Sequence, residues 1–338
     1  MHNFTNELVI TRADDHNNSM RIFLTVFAFL FILPACSTAN EQPYEQWLQE
    51  FKAEAKSLGI SDKTLEFMDG TEPDERVVEL DRKQPESTKT YTQYMEGMLP
   101  ASRINQGREL LAKHDALLSR IEQKYGVQKR FIVALWGMET NYGGYTGNFS
   151  TINALATLAY DGRRSDFFRS ELIKALQIVD AGHISAYEME GSWAGAMGQS
   201  QFMPSSFLAY AVDENGDGHK DIWGTTEDVF GSIASYLSQS GWDDDLTWGR
   251  AVSIPEGIDL TLEDNKTYLP LSQWQAMGVR KMGGADLPEA ELEARLVLPG
   301  ETYEQAYLVY KNYDVLMKWN RSNYFGTSVG TLSDKIGY

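Results

Sequence analysis

The sequence of 338 residues contains a single cysteine, so no disulfide can form within the chain. It also lacks an excess of positive charge, because the formal net charge is −18 at pH 7. Nucleic acid and anionic lipid headgroups would repel such a surface, and we therefore expect no nucleic-acid partner. Long runs of like charge are also missing. Clear internal repeats are missing as well, so a repeat architecture is not expected. With 42% hydrophobic residues, the chain can bury a large core.

The apolar run nearest the amino terminus is too short to cross a bilayer comfortably. It covers only residues 22–33 and matches the hydrophobic region of a signal peptide. The Leu-Pro-Ala-Cys sequence that follows resembles a bacterial lipobox, in which Cys36 would carry the lipid. Residues 1–36 are therefore predicted to be a signal and lipoprotein segment, with Met20 as the better start because acidic residues precede it. The alternative is an ordinary secretory signal with an incidental cysteine.

The predicted location follows from the residue after Cys36. Serine and not aspartate stands at position 37, which favours the outer membrane of a Gram-negative bacterium. We expect a periplasmic protein that is anchored to that membrane through lipid on Cys36.

The predicted secondary structure of the remaining chain changes along its length from mainly helical to partly β and back to helical. Residues 37–245 are predicted to form a mainly helical catalytic domain, in which the polar segment 69–90 contains prolines and should form a loop. Short β-rich runs between glycines and prolines predict a small β-containing subdomain at residues 246–311. Terminal helices at residues 312–338 would return to the helical domain. The expected fold class is mainly α with a small β part, and α+β overall.

One glutamate lies on the apolar face of a predicted helix. Glu139 follows Ile132, Leu135 and Trp136 by seven, four and three positions, so it shares their stripe. A carboxyl on that stripe is poorly hydrated, and burial should raise its pKa. A glycoside-cleaving acid needs a raised pKa, because it must hold a proton near neutral pH. The alternative is a structural glutamate that reaches out from a core helix or bonds backbone amides.

An acidic loop at residues 213–224 follows the spacing of an EF-hand. Side-chain oxygens stand at positions one, three, five and nine, and glycine at position six permits the sharp turn. Calcium is expected over magnesium, because a flexible cage of oxygens suits the larger ion. Position twelve is glycine and not glutamate, so Asp228 or Glu227 would close the shell. The alternative is a solvated turn without metal. The predicted ligands within the loop are Asp213, Asn215, Asp217, His219 through its backbone oxygen, and Asp221.

Three segments together resemble one known family. They read ALWGMETNYGGYTGNF at residues 134–149, GSWAGAMGQSQFMPSSF at 191–207 and WNRSNYFGTSVGTLSDKI at 319–336. With the acidic loop, they are similar to the membrane-bound lytic transglycosylase B family, whose members cleave bacterial cell-wall glycan. The resemblance covers nearly all of the chain after about residue 41. It implies a lysozyme-like fold and peptidoglycan glycan strands as the substrate.

The resemblance implies that Glu139, which matches the family's single acidic residue, is catalytic. The carboxyl would act first as an acid on the bond between N-acetylmuramic acid and N-acetylglucosamine. It would then act as a base on the C6 hydroxyl, which closes a 1,6-anhydro ring without water. The resemblance also favours Asp228 as the last calcium ligand. The residues it places on the glycan are Ser192, Gln201, Tyr236, Arg163, Arg164, Asn320, Ser322 and Tyr324.

Further expectations concern the surroundings of this site. The calcium ion would be structural, and no organic cofactor is expected. Arg163 and Arg164 would meet carboxylates of the stem peptide or lactyl group. Trp319 stands where the family often has tyrosine, so a phenolic hydroxyl is missing there. We expect a monomer whose further partners are cell-wall synthesis or division proteins.

Two other functions stay open from the residues alone. A lysozyme-like hydrolase normally needs a second carboxylate about 5–9.5 Å from the first, and Asp161 and Glu188 are the candidates. A calcium-dependent wall-binding scaffold would need no turnover. Glu139 argues against the scaffold, because binding alone gives no reason to bury an unpaired carboxyl.

Overall fold

The computed structural model describes most of the chain after the predicted signal segment. Its described residues belong to one compact unit, Ser37–Tyr338. Residues 1–36, with Cys36 and the predicted lipobox, lie outside them. Among the described residues, none of the helices combines the length and apolar character of a membrane span. The described ranges are 42–83, 89–264, 266–300 and 305–337.

The first part of the chain is helical up to Glu139. The opening helix α1 buries Trp47, Leu48, Phe51 and Ala55, whose spacing of three and four residues gives one apolar face. A single 3-10 turn, Glu66–Met68, extends the second helix. The helices are α1 Tyr44–Ser57, α2 Asp62–Leu65, α3 Glu75–Arg82, α4 Tyr91–Met98, α5 Ala101–Lys113, α6 Asp115–Tyr125 and α7 Lys129–Thr140.

The prediction of a loop over residues 69–90 is wrong where α3 lies. Asp74 caps this helix by accepting a hydrogen bond from the backbone N–H of Arg76 at 2.8 Å. Val77 is fully buried, and Asp81 in the last turn is 1% exposed. The cap residue was the available signal, but the helix has only eight residues and too few apolar positions to show a clear periodicity.

The second part of the chain alternates helices with the segments that carry the predicted site residues. Helix α8 packs along α9, and the last helix, α15, packs along α7. The terminal helices predicted from the sequence are confirmed, although both begin earlier than expected. The helices are α8 Thr151–Asp161, α9 Ser165–Asp180, α10 Pro204–Tyr210, α11 Thr226–Gln239, α12 Thr261–Asp264, α13 Leu271–Ala276, α14 Lys311–Trp319 and α15 Asn323–Gly337.

Two antiparallel sheets complete the described fold. The first is a two-stranded pair in which Phe149 lies opposite Gly191. The second has five strands in the order β4-β6-β7-β3-β5 and confirms the small β part predicted from the sequence. Its separation as a subdomain stays a prediction. The strands are β1 Phe149–Ser150, β2 Glu190–Gly191, β3 Gly249–Ser253, β4 Leu269–Pro270, β5 Arg280–Lys281, β6 Glu293–Val297 and β7 Ala306–Val309.

Two large hydrophobic cores meet beside the predicted site. The first is built mainly by α6, α7, α11, α14 and α15, and the second mainly by α1, α8, α9 and α10. Tyr236 and Trp319 are partly buried and pack against both cores. A third, smaller core lies under the five-stranded sheet. The junction of the first two cores therefore places aromatic side chains from distant parts of the chain next to the end of α7.

Candidate active site

Glu139 lies in the last turn of α7, at the edge of the first core. Nine of the twelve residues of this helix are buried, whereas the Glu139 side chain is only partly covered. The helix ends because Asn141 and Tyr142 adopt left-handed backbone conformations, with φ of 51° and 61°. The chain therefore turns sharply just after the carboxyl and leaves it at a surface between two segments.

The pKa of Glu139 is raised to about 7. Burial causes this shift, because the charged carboxylate is poorly hydrated beside the core. A hydrogen bond from Trp319 Nε1 to Glu139 Oε1, 2.6 Å long, acts in the opposite direction. The raised pKa predicted from the apolar stripe is thus found in the structure. Such a group can hold a proton near neutral pH and can also accept one.

The segment at residues 191–203 lies against the turn that follows Glu139. Gly147 approaches Gly191 so closely that a Cβ at Gly147 would fall 2.0 Å from the Gly191 carbonyl oxygen. Gln201 adopts φ of 49° and donates from Nε2 to the carbonyl oxygens of Thr146 and Gly198, both at 3.0 Å. The glutamine-bearing segment is therefore joined to the glutamate-bearing turn through backbone contacts.

Ser192 begins a tight turn within the same segment. Its Oγ accepts hydrogen bonds from the backbone N–H groups of Ala194 at 3.3 Å and Ala196 at 3.1 Å. The Ser192 backbone N–H in turn donates to the Ala196 carbonyl oxygen at 2.8 Å. The hydroxyl oxygen thus shapes the turn, and its own proton is left for another acceptor.

Gln199 joins α7 to the end of the acidic loop, a role that the sequence did not predict. Its side-chain oxygen accepts from Trp136 Nε1 at 2.8 Å, and its Nε2 donates to the Trp223 carbonyl oxygen at 2.7 Å. Its backbone oxygen accepts from Thr140 Oγ1 at 3.0 Å. Because Thr140 follows Glu139, these bonds help to position the end of α7.

The carboxy-terminal segment provides the other wall of the site. Trp319, which donates to Glu139, ends α14, and the extended residue Asn320 follows it. Ser322 Oγ accepts from the backbone N–H of Phe325 at 3.3 Å. Tyr324 packs against Tyr94 of α4, with ring centroids 5.3 Å apart. The segment that carries these predicted glycan-binding residues therefore follows directly after the residue that contacts Glu139.

Arg163 and Arg164 are engaged with a carboxylate of α3. Arg163 Nε lies 3.1 Å and Arg164 Nη2 lies 2.6 Å from the two oxygens of buried Asp81. Their guanidinium groups are nevertheless partly exposed. The structure thus shows an ion-pair cluster that the sequence did not predict. The role of the two arginines on the glycan or its peptide stays a prediction.

The candidate second carboxylates have partners of their own. Asp161 pairs with Arg82 at 2.7 Å, and Glu188 accepts from Ser185 Oγ at 2.6 Å. Both candidates are therefore engaged with side chains other than Glu139.

The acidic loop folds around Asp213. The backbone N–H groups of Gly216 and Gly218 donate to the two oxygens of Asp213 at 2.7 and 2.8 Å. Both glycines have positive φ, which the tight turn requires. Asn215 Nδ2 lies 3.0 Å from Asp217 Oδ2. Oxygen-bearing side chains of this kind suit calcium, and their arrangement around an ion stays a prediction.

Two predicted ligands have other bonds in the structure. The imidazole of His219 contacts the Gly182 carbonyl oxygen at 3.0 Å through Nδ1, and the predicted ligand at this position is its backbone oxygen. Asp228 is 0% exposed, and its carboxylate accepts the backbone N–H groups of Glu214 and Asp221, both at 2.8 Å. Asp228 therefore organises the loop from beneath, and its place in a metal shell stays a prediction.

Comparison with known proteins agrees with this geometry. The model of the Transglycosylase SLT domain family matches residues 43–334. Membrane-bound lytic murein transglycosylase B of Escherichia coli K12 is 30% identical over 298 residues, which are 86% of this chain and 78% of that protein.

Solved structures show the same fold. SltB3 from Pseudomonas aeruginosa, in complex with NAG-NAM-pentapeptide, is 42% identical with a TM-score of 0.85, covering 88% of this chain and 80% of that chain. The Escherichia coli lytic transglycosylase Slt35, in complex with calcium, is 26% identical with a TM-score of 0.74, covering 90% and 98%.

The fold is that of the lysozyme-like lytic transglycosylases. The chain belongs to the Transglycosylase SLT domain family, among the lytic transglycosylases that cleave peptidoglycan. The family resemblance and the α+β fold class expected from the sequence are thereby confirmed.

Proposed function

We propose that Glu139 cleaves the bond between N-acetylmuramic acid and N-acetylglucosamine by serving both as acid and as base. In the first step, the protonated carboxyl gives its proton to the glycosidic oxygen as the C1–O bond breaks. In the second step, the carboxylate takes the proton of the C6 hydroxyl of the same muramic residue. The C6 oxygen then bonds to C1, which yields a 1,6-anhydro end and returns the proton to Glu139.

The observation that carries this proposal is the environment of Glu139. Its pKa of about 7 suits a group that must give and then regain a proton near neutral pH. A retaining or inverting hydrolase uses two carboxyl groups, and the candidate second carboxyls Asp161 and Glu188 contact Arg82 and Ser185 instead. A single carboxyl with a pKa near neutral pH therefore supports ring closure by the C6 hydroxyl of the same muramic residue.

The glycan would lie along the surface where Glu139 is partly exposed. Gln201 and Ser192 would line it on one side, and Tyr236 and the terminal segment on the other. Polar groups and aromatic faces are the side chains that bind sugars, because a pyranose has hydroxyls at its rim and an apolar face. Asn320, Ser322 and Tyr324 belong to that terminal segment. Arg163 and Arg164 would reach acidic groups of the stem peptide through their exposed guanidinium edges.

The acidic loop would hold a structural calcium ion through Asp213, Asn215, Asp217, Asp221 and Asp228 and the backbone oxygen of His219. Slt35, which is similar to this chain, was solved with calcium. The ion would fix the conformation of the loop, and the hydrogen bonds of Gln199 would couple that conformation to the position of α7. Cys36 would carry lipid and attach the enzyme to the outer membrane from the periplasmic side. The related Escherichia coli transglycosylase B is membrane-bound.

The decisive experiment is Glu139→Gln assayed on purified sacculi. Glutamine keeps the shape of the side chain but can neither give nor take the proton. Each acid–base step typically contributes 10²–10⁴-fold, so activity should fall by at least about a thousandfold. Mass analysis of wild-type products should find 1,6-anhydromuramic acid ends, which contain one water fewer than hydrolysed ends.

Two matched variants complete the test. Asp161→Asn and Glu188→Gln make the same kind of change at the other candidate carboxyls and should keep the activity within a few fold. Reducing ends in the wild-type products, together with loss of activity in either variant, would identify a hydrolase. Full activity of Glu139→Gln would refute the catalytic role of Glu139.

A further inference from the structure

Trp319 is held beside Glu139 by two other aromatic rings. The Trp319 ring centroid lies 5.4 Å from that of Phe202 and 4.6 Å from that of Tyr236, which meets it edge-on. Phe202 belongs to the 191–203 segment and Tyr236 to α11, so the indole packs against two separate elements. Little freedom remains for the indole to turn away from the carboxyl that its N–H contacts.

The indole N–H can only donate a hydrogen bond. Glu139 Oε1 must therefore offer a lone pair to Trp319 whether the carboxyl is charged or neutral. In a neutral carboxyl the carbonyl oxygen is the better acceptor, so the acid proton is favoured on the other oxygen, Oε2. Among the described residues, Oε2 has no hydrogen-bond partner, and it remains available to a ligand.

We infer that Trp319 is a positioning residue that keeps the transferable proton of Glu139 on Oε2, the oxygen open to the glycan. This inference rests on the proposed acid–base function of Glu139 and specifies which oxygen performs it. The tyrosine that the family often carries at this position would act differently. A phenolic hydroxyl both donates and accepts, so it permits the proton on either oxygen.

The same hydrogen bond limits how far burial raises the pKa of Glu139. Burial stabilises the neutral carboxyl, whereas the N–H of Trp319 stabilises the carboxylate. Loss of the N–H should therefore favour the protonated form. The base step, which needs the carboxylate, should then become weaker at neutral pH.

Other ionisable side chains lie on helices around Glu139. The pKa of Tyr94 on α4 is raised by burial and, to a smaller extent, by the charge of Glu139. Burial raises the pKa of Tyr236 on α11 to about 12, and the guanidinium of Arg103 belongs to α5. Burial lowers the pKa of His114, whose ring is edge-on to Trp136 of α7. None of these groups is a cause of the shift in the pKa of Glu139.

The test compares Trp319→Phe with Trp242→Phe. Both substitutions keep an aromatic ring and delete one indole N–H. Trp242 donates to Gln128 Oε1 at 2.8 Å and packs on Phe131, two turns before Glu139 on α7. Trp242→Phe is thus the same chemical change outside the site, and it controls for general loss of packing.

The primary readout is the pKa of the Glu139 carboxyl, measured without turnover. Infrared difference spectra against Glu139→Gln isolate the carbonyl stretch of the protonated carboxyl. We expect the titration midpoint of this band to rise by about one pH unit or more in Trp319→Phe. The reason is that the lost hydrogen bond stabilised the carboxylate, and such a bond to a charged group is strong enough to shift a pKa by that much. The midpoint should not change in Trp242→Phe. On sacculi, kcat of Trp319→Phe should fall about tenfold at neutral pH, with little change in KM.

A second variant separates the hydrogen bond from ring packing. Trp319→Tyr keeps a donor, so its midpoint should stay closer to that of the wild type than the midpoint of Trp319→Phe. An unchanged midpoint in Trp319→Phe, or an equal rise in both variants, would overturn the inference. Full activity of Glu139→Gln would instead overturn the proposed function, and the infrared midpoints would still report the Trp319 contact.

Discussion

Trp136 donates its indole N–H to the side-chain oxygen of Gln199, across 2.8 Å and 63 residues of sequence. The backbone N–H of Gln199 also donates to the Ile222 carbonyl oxygen at 2.8 Å, near the end of the acidic loop. One glutamine therefore connects the helix of Glu139 with the proposed calcium loop. The conformation of the acidic loop and the position of the Glu139 carboxyl are therefore coupled through Gln199.

Gln199→Leu should destabilise the fold and reduce activity together. The substitution leaves the N–H of Trp136 and the carbonyl of Trp223 without their partner, which should lower the free energy of unfolding by about 1–3 kcal/mol. Urea denaturation measures this change. Gln239→Leu is the matched control, because Gln239 is exposed and bonds only Ser235 one turn earlier. Equal effects of the two variants would refute the linking role of Gln199.

Chelation should lower the melting temperature of the wild-type protein, and added calcium should restore it by mass action. Asp213→Ala combined with Asp217→Ala should abolish this response, because both carboxylates are gathered in the loop. The control is Glu289→Ala with Glu291→Ala, which removes the same charge from an exposed segment outside the loop. A wild type that is insensitive to chelators would show that the loop is a turn without metal.

The raised pKa of Glu139 should make stability depend on pH. An unfolded glutamate titrates near 4.5, and the folded one near 7. Between these values the unfolded chain binds fewer protons than the folded one, so stability falls as pH rises through this window. Glu139→Gln lacks this effect. Its free energy of unfolding should exceed that of the wild type increasingly from pH 4.5 to 7, by at most about 3 kcal/mol.

Urea unfolding at several pH values tests this expectation. Glu188→Gln serves as the control, because Glu188 is exposed and should show no growing difference. Parallel pH dependence of the wild type and Glu139→Gln would mean that Glu139 titrates like an ordinary surface glutamate.

Cys36 should be labelled by radioactive fatty acid in growing cells, and Cys36→Ser should not. The labelled protein should sediment with outer membranes, because the lipid and not the polypeptide would hold it there. Absence of label in the wild type would leave an ordinary secretory signal as the explanation of residues 22–33.

Local patterns in the sequence predicted much of the fold around Glu139. The spacing of Ile132, Leu135 and Trp136 determines one face of a helix, and this face is buried as expected. Alternation of short β-rich runs with glycine and proline located the main strands within a residue or two. These features depend on neighbours in sequence, which is why they are readable without the structure.

Contacts between distant segments were not readable in the same way. Nothing in the sequence around Asp81 predicts its pairing with Arg163 and Arg164, because that pairing depends on how α3 packs against α8. Trp319 was noticed only as a departure from the family pattern, and its contact with Glu139 depends on how the two cores meet. Glu139 could thus be found by pattern, whereas the side chain that orients it required the fold.

The long separation between Glu139 and Trp319 has a consequence for how the enzyme is made. The ribosome produces α7 early, whereas Trp319 and α15 emerge only when synthesis is nearly finished. A chain that stops before α14 has its glutamate but no donor to orient it, and the face of α7 that α15 covers is bare. Only a polypeptide synthesised almost to its end can therefore form the hydrogen bond between Trp319 and Glu139.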